Sequence, residues 1–340
     1  MKRRLLDLLG CPACRQALSL TVTREEGDEI EEGELSCPEC RKTFPIVGAI
    51  PRFVEMQNYA DSFGLQWNKY ARLQLDSQNG TSFSRERFYG ITEWAPESLR
   101  GAVVLDGGCG AGRFAEIALA DGAEVIALDL SSAVDACRKN LAAHPKLHCV
   151  QGSLFELPFR DRAFDTVYSI GVIQHTPDPR RAVESLCEKV APGGRIGLWI
   201  YERDWKSYIG TIGFKYALRP LTKHWRTATL EKFIRVMEAV CWPVVWCARP
   251  LGTLGKAIMR MLPLSCAHLQ NVPLSDEDFR EWIRLDTFDM LSPAYDSPQR
   301  YPVVQSWLEK AGLRPDRRHP HGAISITATR AAGPAPAPQR

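Results

Sequence analysis

A carboxylate followed by three alternate glycines is the feature of this sequence with the clearest chemical potential. Asp106 ends a short apolar run, and Gly108, Gly110 and Gly112 follow it. Because glycine adopts positive φ and has no side chain, a ligand can lie directly against such a turn. Asp129, which closes the next apolar run, could accept hydrogen bonds from two ribose hydroxyls. Strand, glycine turn and helix start together predict a nucleotide-sized site at the carboxyl end of a sheet strand.

Two classes of cofactor use a turn of this kind. Residues 110–115, GAGRFA, fit the dinucleotide pattern G-x-G-x-x-A, which arises easily in a glycine-rich run. Residues 106–112 also fit D-x-G-x-G-x-G, in which the acid would repel a pyrophosphate and favour a cationic group such as the amine of methionine. The second pattern resembles motif I of the class I S-adenosylmethionine (SAM) methyltransferases. The resemblance implies SAM as the cofactor, with dinucleotide binding as the alternative.

Strands and helices are predicted to alternate around this turn. The predicted strands, all short apolar runs, cover 102–105, 125–128, 147–150, 164–169 and 195–200. The predicted helices cover 114–119, 133–143, 181–190 and 301–311. Ser131 is the expected N-cap of the second helix, and a final antiparallel hairpin is expected over 313–318 and 323–329. With the resemblance, this order predicts an α/β fold: a doubly wound, Rossmann-like, seven-stranded methyltransferase sheet with an N-terminal zinc ribbon and a helical lid insertion.

The resemblance to class I methyltransferases also implies cofactor contacts. The expected cofactor-binding residues, near the ends of the first four strands, are Asp106, Gly108, Gly110, Asp129, Leu130, Ser153, Leu154 and Ser169. Asp106 and the two glycines would bind the methionine end, Asp129 the ribose, and Leu154 would flank adenine. Ser153 stands where the family commonly has aspartate, so its hydrogen bond to the adenine amino group would lack charge assistance.

Three side chains that follow the fourth and fifth strands are candidates for catalysis. His175 lies in the stretch GVIQHTPDP, which is similar to one that borders the methyl-transfer site in many small-molecule methyltransferases. A histidine there could act as a general base, or its ring could only pack and cap the loop. Tyr201 and Glu202 follow the fifth strand, and Glu202 could serve as a base or pair with Arg203. Positioning alone could also suffice, since the sulfonium is a reactive methyl donor.

A proline-marked stretch further along the chain carries more acceptor-site candidates. Residues 286–295, DTFDMLSPAY, are predicted to form a loop, and loops hold functional groups more often than packing ones. The stretch resembles a D-x-x-x-P-x-Y element of the same family. Asp286, Asp289 and Tyr295 are therefore candidates for the acceptor site, and capping of a helix is the alternative role for each acid.

Four of the eleven cysteines form two C-x-x-C pairs at the N-terminus. Cys11, Cys14, Cys37 and Cys40 would supply four thiolates, a closed tetrahedral set for a structural Zn²⁺ ion. Unpaired thiols or a redox pair are the alternatives. With the tail FPIVGAIPRF at 44–53, these motifs resemble small zinc-ribbon proteins that partner and activate certain methyltransferases. A ribbon that contacts RNA is a further alternative, which the acidic turn at 25–32 disfavours.

The segment 203–275 is basic and rich in tryptophan. It contains eleven Lys and Arg residues and three Asp and Glu residues, a net charge of +8. A helical lid with solvated charges is the principal interpretation, and a lid over an amphiphilic or anionic acceptor is the next. Peripheral contact of the lid with a membrane is a further expectation. Apolar runs such as 258–264 disfavour a nucleic-acid partner, whose backbone needs an open groove of exposed charge.

Length and composition set the expected organisation of the chain. The 340 residues, 45% hydrophobic and 24% charged, are typical of a globular protein with one large and one or two small domains. The expected parts are a zinc ribbon at 1–55, a helical cap segment at 56–100, a SAM-binding core at 101–202, a basic lid at 203–285, the C-terminal part of the core at 286–330 and a disordered tail at 331–340. Eleven cysteines without an export signal predict a cytoplasmic location.

The helical cap segment is rich in aromatic residues. Tyr59, Phe63, Trp67 and Tyr70 lie at helical spacing, which favours a helix packed on the core. The alternative is a cap over the cofactor, in which Tyr70 and Arg72 reach the methionine end.

The sequence as a whole predicts a SAM-dependent methyltransferase that acts on a small or amphiphilic metabolite, anionic or lipid-linked. An RNA methyltransferase and a non-catalytic nucleotide-binding partner module are the alternatives. The attacked atom and the oligomeric state are left open.

Overall fold

The N-terminal part of the chain is a small antiparallel sheet. The computed structural model describes residues 1–54, 64, 70, 72–203, 210–316, 318 and 323–333. Four strands lie in chain order, namely β1 (Ser19–Glu26), β2 (Glu29–Ser36), β3 (Thr43–Val47) and β4 (Ile50–Pro51). Alternate residues of β3, Phe44 and Ile46, are buried, so one face of this ribbon is apolar and packs on the rest of the chain.

The central sheet has seven strands. They are β5 (Val103–Gly107), β6 (Glu124–Asp129), β7 (Leu147–Gln151), β8 (Phe164–Ile170), β9 (Val190–Ile200), β10 (Leu313–Pro315) and β11 (Ile324–Arg330), in the spatial order β10-β11-β9-β8-β5-β6-β7. The first five are parallel, whereas β11 is antiparallel to β9 and to β10. This topology confirms the expected fold class. The strand order reverses between β5 and β8, which opens a crevice at their carboxyl ends.

Ten α-helices accompany the two sheets in the described part of the chain. They are α1 (Asp76–Asn79), α2 (Phe83–Thr92), α3 (Arg113–Ala120), α4 (Ala133–Leu141), α5 (Pro179–Lys189), α6 (Thr211–Thr222), α7 (Thr227–Ala248), α8 (Gly252–Met259), α9 (Asp276–Leu291) and α10 (Tyr301–Lys310). Successive residues of β5 serve opposite faces of the sheet: Val104 packs with α2, α3 and α4, and Leu105 packs with α5, α10 and the ribbon. The sheet is therefore doubly wound.

The lid helices have their own apolar cores. One cluster joins α7 and α8 to α9 through Val245, Met259 and Trp282, and a second joins α7 to the end of α9 through Ile234 and Phe288. Between the clusters, the buried carboxylate of Glu238 accepts hydrogen bonds from two arginines of α9, at 2.6 Å from Arg280 and 2.7 Å from Arg284. None of the described helices combines the length and apolar character needed to cross a membrane.

Two expectations about element bounds differ from the structure. Residues 286–291 belong to helix α9 rather than to a loop, so the domain boundary expected between 285 and 286 divides one helix. Strand β9 begins at Val190, and the turn expected at 192–194 is a bulge within it, because Phe164 pairs with Val190 and Thr166 with Arg195. Most of the cap segment's expected first helix lies outside the described residues, as does the tail beyond 333.

The ribbon joins the free edge of the central sheet. Arg52, just after β4, forms a parallel bridge with Gln151 at the end of β7, and the N–H of Phe53 donates to the Gln151 carbonyl at 2.8 Å. The buried Arg52 guanidinium also donates to Asp135 of α4 at 2.7 Å and to the Gln151 side chain at 2.8 Å. The ribbon thereby covers edge strand β7 and holds helix α4, the elements on either side of the Asp129 loop.

Candidate active site

A cavity of about 710 Å³ lies over the carboxyl ends of β5, β6, β8 and β9. Its floor is the glycine turn after β5, and its roof is formed by side chains of α6 and α9. Volumes of this size are typical of pockets that enclose a cofactor or a small ligand. The cavity occupies the crevice that the strand order predicts.

The glycine turn has a backbone that requires glycine at two positions. Gly108 has φ of +97°, and a Cβ placed on it would lie 2.4 Å from a methyl carbon of Val172. Gly112 has φ of +95°, and its Cβ would lie 2.8 Å from Leu141. Side chains at these two positions would clash as well as strain the backbone. The turn therefore requires glycine, and Gly108 and Gly110 both line the cavity.

Asp129 stands at the end of β6 and faces the cavity. Its Oδ2 accepts a hydrogen bond from the Gly110 N–H at 2.9 Å, which ties it to the glycine turn. Its Oδ1 accepts from the N–H and the hydroxyl of Ser131, at 2.8 and 2.7 Å. Burial raises the pKa of Asp129, and these donors oppose that shift. The carboxylate lines the cavity beside these donors, so a ligand that enters the cavity would meet it.

Three of the expected cofactor residues do not line the cavity. Asp106 is buried within the sheet, where its Oδ2 accepts from the Tyr168 hydroxyl at 3.0 Å, and burial raises its pKa to about 8. The hydroxyl of Ser169 donates to the Gly107 carbonyl at 2.7 Å, and that of Ser153 accepts from the N–H of Phe155 at 3.1 Å. These three side chains stabilise the protein's own backbone and sheet. Leu154 and Leu130 do line the cavity.

Ser131 also has a different role from the one expected. The N-cap of α4 is Ser132, and the Ser131 hydroxyl accepts from the N–H of Ala133 at 3.1 Å while donating to Asp129. Ser131 therefore links the start of the helix to the carboxylate in the cavity.

His175 lines the cavity in a short 3-10 helix after β8. The ring is buried, and its Nδ1 lies 3.1 Å from the carbonyl oxygen of Tyr295 and 3.9 Å from Asp296. Burial lowers the pKa of His175 to about 4, although Asp296 opposes the shift. The imidazole is neutral near pH 7, and the carbonyl of Tyr295 orients it.

Tyr201 and Lys215 form the next part of the wall. The Lys215 ammonium, buried on α6, lies 2.8 Å from Asp296 and 4.5 Å from the centre of the Tyr201 ring. Burial lowers the pKa of Lys215 and raises that of Tyr201 well above its ordinary value. The Tyr201 ring also packs edge-on against His175. A compact polar cluster therefore borders the end of β9.

Glu202 lines the cavity but is already paired. Its carboxylate accepts a hydrogen bond from the Arg318 guanidinium rather than from Arg203. A base or a partner of Arg203 is expected at this position from the sequence, and the structure shows an ion pair with Arg318 instead.

The lid side of the cavity is lined by a chain of hydrogen-bonded polar groups. The Asp286 carboxylate lies 2.8 Å from His268 and accepts from the Gln74 amide at 3.2 Å. The Gln74 carbonyl accepts from Arg113 at 3.1 Å, and Arg113 also donates to the Ser84 hydroxyl at 2.9 Å. Among the described residues, the buried Nη2 of Arg113 has no hydrogen-bond partner.

Two further charged groups flank this chain. Asp289, one helix turn beyond Asp286, faces the cavity, and its pKa is raised to about 7 by burial and by the Asp286 carboxylate. The guanidinium of Arg87 stacks 4.6 Å from the Trp199 ring. Burial lowers the pKa of Arg113 to about 9, and the nearby Arg87 adds to the shift.

The cap segment contributes residues that differ from those expected. Gln74, Phe83 and Arg87 line the cavity, whereas Arg72 is exposed and Tyr70 packs against the apolar cluster of the lid. Sequence reasoning also missed Arg113 and Lys215. Arg113 directly follows the glycine motif, and that adjacency was the available signal.

The four N-terminal cysteines converge on one point. Their Sγ atoms all lie within 4.8 Å of one another, with Cys14 and Cys37 at 3.3 Å and Cys11 and Cys40 at 3.5 Å. Four thiolates at about 2.3 Å from a central ion would be about 3.8 Å apart, so the cluster fits a tetrahedral Zn²⁺ site.

Two family models match the chain. Residues 105–198 match the methyltransferase domain model, and residues 2–48 match the model of the Trm112p-like proteins. Both resemblances expected from the sequence are thereby confirmed.

Curated relatives match the same core. A ubiquinone biosynthesis O-methyltransferase of Coxiella burnetii is 32% identical over 148 residues, which cover 43% of this chain and 62% of the relative. The protein of the same name from Cronobacter sakazakii is 33% identical over 148 residues, 42% of this chain and 60% of the relative. The chain thus spans about three fifths of the length of these relatives.

Among solved structures, the complex of the Haloferax volcanii Trm112 methyltransferase activator with a putative methyltransferase aligns with 80% of this chain and 99% of its own, at 15% identity and a TM-score of 0.41. A putative methyltransferase from Bacillus halodurans aligns over 64% of each chain, at 16% identity and a TM-score of 0.37.

Proposed function

We propose that this chain is a class I SAM-dependent methyltransferase with its zinc ribbon in the same polypeptide, and that it methylates an oxygen atom of a small-molecule acceptor. The observation that carries the proposal is one cavity bordered by the glycine turn and Asp129 on one side and by His175, Tyr201 and Asp289 on the other. The name of the curated relatives, which are O-methyltransferases, supports oxygen as the attacked atom.

The residues of the glycine side fit SAM. Gly108 and Gly110 line the cavity without side chains, so the methionine portion of SAM would lie against the backbone of the turn. Asp129 would accept from the ribose hydroxyls, with Leu130 beside it, and Leu154 would pack on adenine. Arg113, whose buried Nη2 needs an acceptor, would hold the methionine carboxylate. Bound SAM would supply an electrophilic methyl group on a sulfonium.

The residues of the acceptor side would orient the nucleophile and remove its proton. Asp289 is the better base, because its pKa of about 7 is near the working pH, whereas that of His175 is about 4. Asp289 would take the hydroxyl proton while the oxygen–methyl bond forms and the carbon–sulfur bond breaks. His175 and Tyr201 would position the acceptor, and Glu202 would remain paired with Arg318.

Calorimetric titration of the full chain with SAM and with NAD tests the class of cofactor. We expect SAM to bind and NAD not to bind. Binding of NAD without binding of SAM would overturn the proposal. Release of S-adenosylhomocysteine in the presence of hydroxylated aromatic compounds, with and without long alkyl chains, then separates an enzyme from a module that only binds the nucleotide.

The ribbon is proposed to hold one Zn²⁺ ion through Cys11, Cys14, Cys37 and Cys40. Four thiolates leave no open coordination position, so the ion would stabilise the ribbon and take no part in catalysis. We favour an amphiphilic acceptor, because the roof of the cavity contains apolar as well as cationic lid residues, such as Ile212 and Lys215. We propose that the enzyme is cytoplasmic.

A further inference from the structure

The lid carries exposed apolar side chains on its outer side. Thirteen large apolar side chains are exposed in the described part of the chain, and ten of them lie between residues 214 and 261. The main group, which we call the outer lid face, consists of Val236, Val240, Val244 and Trp246 on α7 and Leu254 on α8. Their exposed fractions range from 44 to 72%. So much apolar surface on one element marks an interaction site.

Helix geometry shows that the three valines of α7 share a surface. Val236, Val240 and Val244 recur every four residues, so they lie on one side of α7, a turn apart. The other side of α7 is already occupied, because Ile234 and Val245 are buried in the two apolar clusters of the lid. A helix at the surface of a globular protein normally turns polar residues outward. The packing of the lid therefore does not explain why three valines are exposed on the outer side of α7.

Between residues 210 and 275 the exposed charges of the lid are all positive, and the first exposed carboxylates beyond them, Asp276 and Glu277, stand at the start of α9. The exposed Lys and Arg residues between 210 and 275 are Lys223, Arg226, Lys232, Arg235 and Arg260. The two carboxylates of this stretch are turned away from solvent, since Glu231 is half-buried and Glu238 is buried. The outer surface of α6, α7 and α8 therefore combines apolar side chains with positive charge.

We propose that the outer lid face docks onto an anionic lipid bilayer, with α7 and α8 lying in the plane of its surface. A bilayer supplies an apolar boundary for the valines and Trp246 and a negative surface for the cations. A second copy of the chain would bring two positive surfaces together, which disfavours self-association. RNA would pair with the cations but leave the valines in water.

The docking surface is one helix away from the acceptor side of the cavity. Helix α9 contributes Asp286 and Asp289 to the cavity wall and packs directly against α7, where Arg280 holds Glu238. This consequence rests on the proposed function: an acceptor with a long apolar tail could keep the tail in the bilayer while its reactive end lies under the lid.

Co-sedimentation of the full chain with vesicles tests the docking surface. We expect retention on vesicles of phosphatidylcholine and phosphatidylglycerol in equal parts and weaker retention on phosphatidylcholine alone. The double variant Val240→Glu, Trp246→Glu should reduce retention on the anionic vesicles by about tenfold or more, because it places two carboxylates against the membrane. Val303→Glu is the matched control, since Val303 is 40% exposed but lies on α10. That variant should sediment like the wild type.

A second readout reports insertion at one residue. Lipids with brominated acyl chains should quench part of the tryptophan fluorescence, and Trp246→Phe should lose that part. Equal retention of the wild type and the double variant would overturn the proposal, as would submicromolar RNA binding with a steep salt dependence and no retention on vesicles.

SAM titration of the same variants separates this inference from the proposed function. The double variant should bind SAM like the wild type, because none of the substituted residues lines the cavity. Loss of vesicle binding with SAM binding intact supports docking through the lid. Vesicle binding by a chain that does not bind SAM would contradict the proposed function and leave docking supported.

Discussion

The carboxylate of Asp129 joins the glycine turn to the start of α4, and it is the residue on which we expect SAM binding to depend most. Asp129→Ala should weaken SAM binding by about 1.5–3 kcal/mol, the range for hydrogen bonds to a charged group. Calorimetric titration measures the change. Glu156→Ala is the control, because Glu156 is an exposed carboxylate that does not line the cavity. An unchanged dissociation constant in folded Asp129→Ala would place the ribose partner elsewhere.

Asp289 should make stability and activity depend on pH. Its folded pKa is raised to about 7 from an ordinary value of 3.8, so between these values the folded state binds the proton and the unfolded state does not. Stability contributed by the protonated group is therefore lost as pH rises through this window. Asp289→Asn should gain about 1–3 kcal/mol over the wild type between pH 5 and pH 8, as measured by urea unfolding. If the difference in unfolding free energy between the two proteins did not change with pH, the raised pKa of Asp289 would be contradicted.

The same variant tests the proposed base. In the wild type, kcat should rise with pH through about 7 as Asp289 ionises. Asp289→Asn should lower kcat by about 10²- to 10⁴-fold and abolish that inflection. His175→Gln, which keeps a polar side chain at position 175, should retain the inflection of kcat near pH 7. The reverse pattern would assign the base to His175.

Sequence pattern predicted which strand ends approach the cofactor but not which side chains face it. Asp129, Leu154 and His175 line the cavity, as the positions of their strands imply. Asp106 and Ser169 also stand near strand ends, yet the pleat directs them into the sheet, and the register between neighbouring strands sets that direction. Buried cations such as Lys215 could not be found from the sequence, because their burial depends on how the lid packs.

At the level of the structural elements, the proposed zinc site of the ribbon can be tested directly. We expect one tightly bound zinc ion per chain, and Cys37→Ser should release it and lower the unfolding temperature, because metal binding at such a site is coupled to folding. Elemental analysis and thermal unfolding measure both effects. Cys247→Ser is the control, since Cys247 is exposed and remote from the four-cysteine cluster. Pure protein with no zinc and four titratable ribbon thiols would remove the assignment.

Helix α9 shows why the loop predicted at 286–295 was wrong over residues 286–291. The hydroxyl of Ser275 caps the helix by accepting the N–H of Asp278 at 3.1 Å, and buried residues such as Phe279 and Trp282 continue the apolar face beyond residue 285. Ser275 and three acidic residues in the first turn are a start signal that the sequence displays. The helix continues until Leu291, because Pro293 prevents extension.

At the scale of the whole molecule, Arg52 fastens the ribbon to the core. Arg52→Ala should destabilise the protein by about 1–3 kcal/mol, because it leaves the buried side chain of Gln151 without its donor and breaks the pair with Asp135. Arg24→Ala is the matched control: Arg24 pairs with Glu32 in the ribbon, but both side chains are about half exposed, so the cost should be about 0–1 kcal/mol. Equal unfolding temperatures for the two variants would show that the ribbon is not fastened by Arg52.

The contact between the ribbon and the central sheet also determines the order in which these parts can fold during synthesis. Leu9 bridges Phe159, so the partners are separated by about 150 residues of synthesis, roughly ten to thirty seconds at ordinary elongation rates. The four cysteines all lie within residues 11–40. The apolar side of the ribbon, with Leu5 and Ile30, is exposed to water until β6 and the segment after β7, which cover it, have been translated. A nascent chain of this protein therefore exposes the apolar side of the ribbon before the segment that covers it has been synthesised. Slow translation or scarce chaperones in that interval should therefore lower the yield of folded protein.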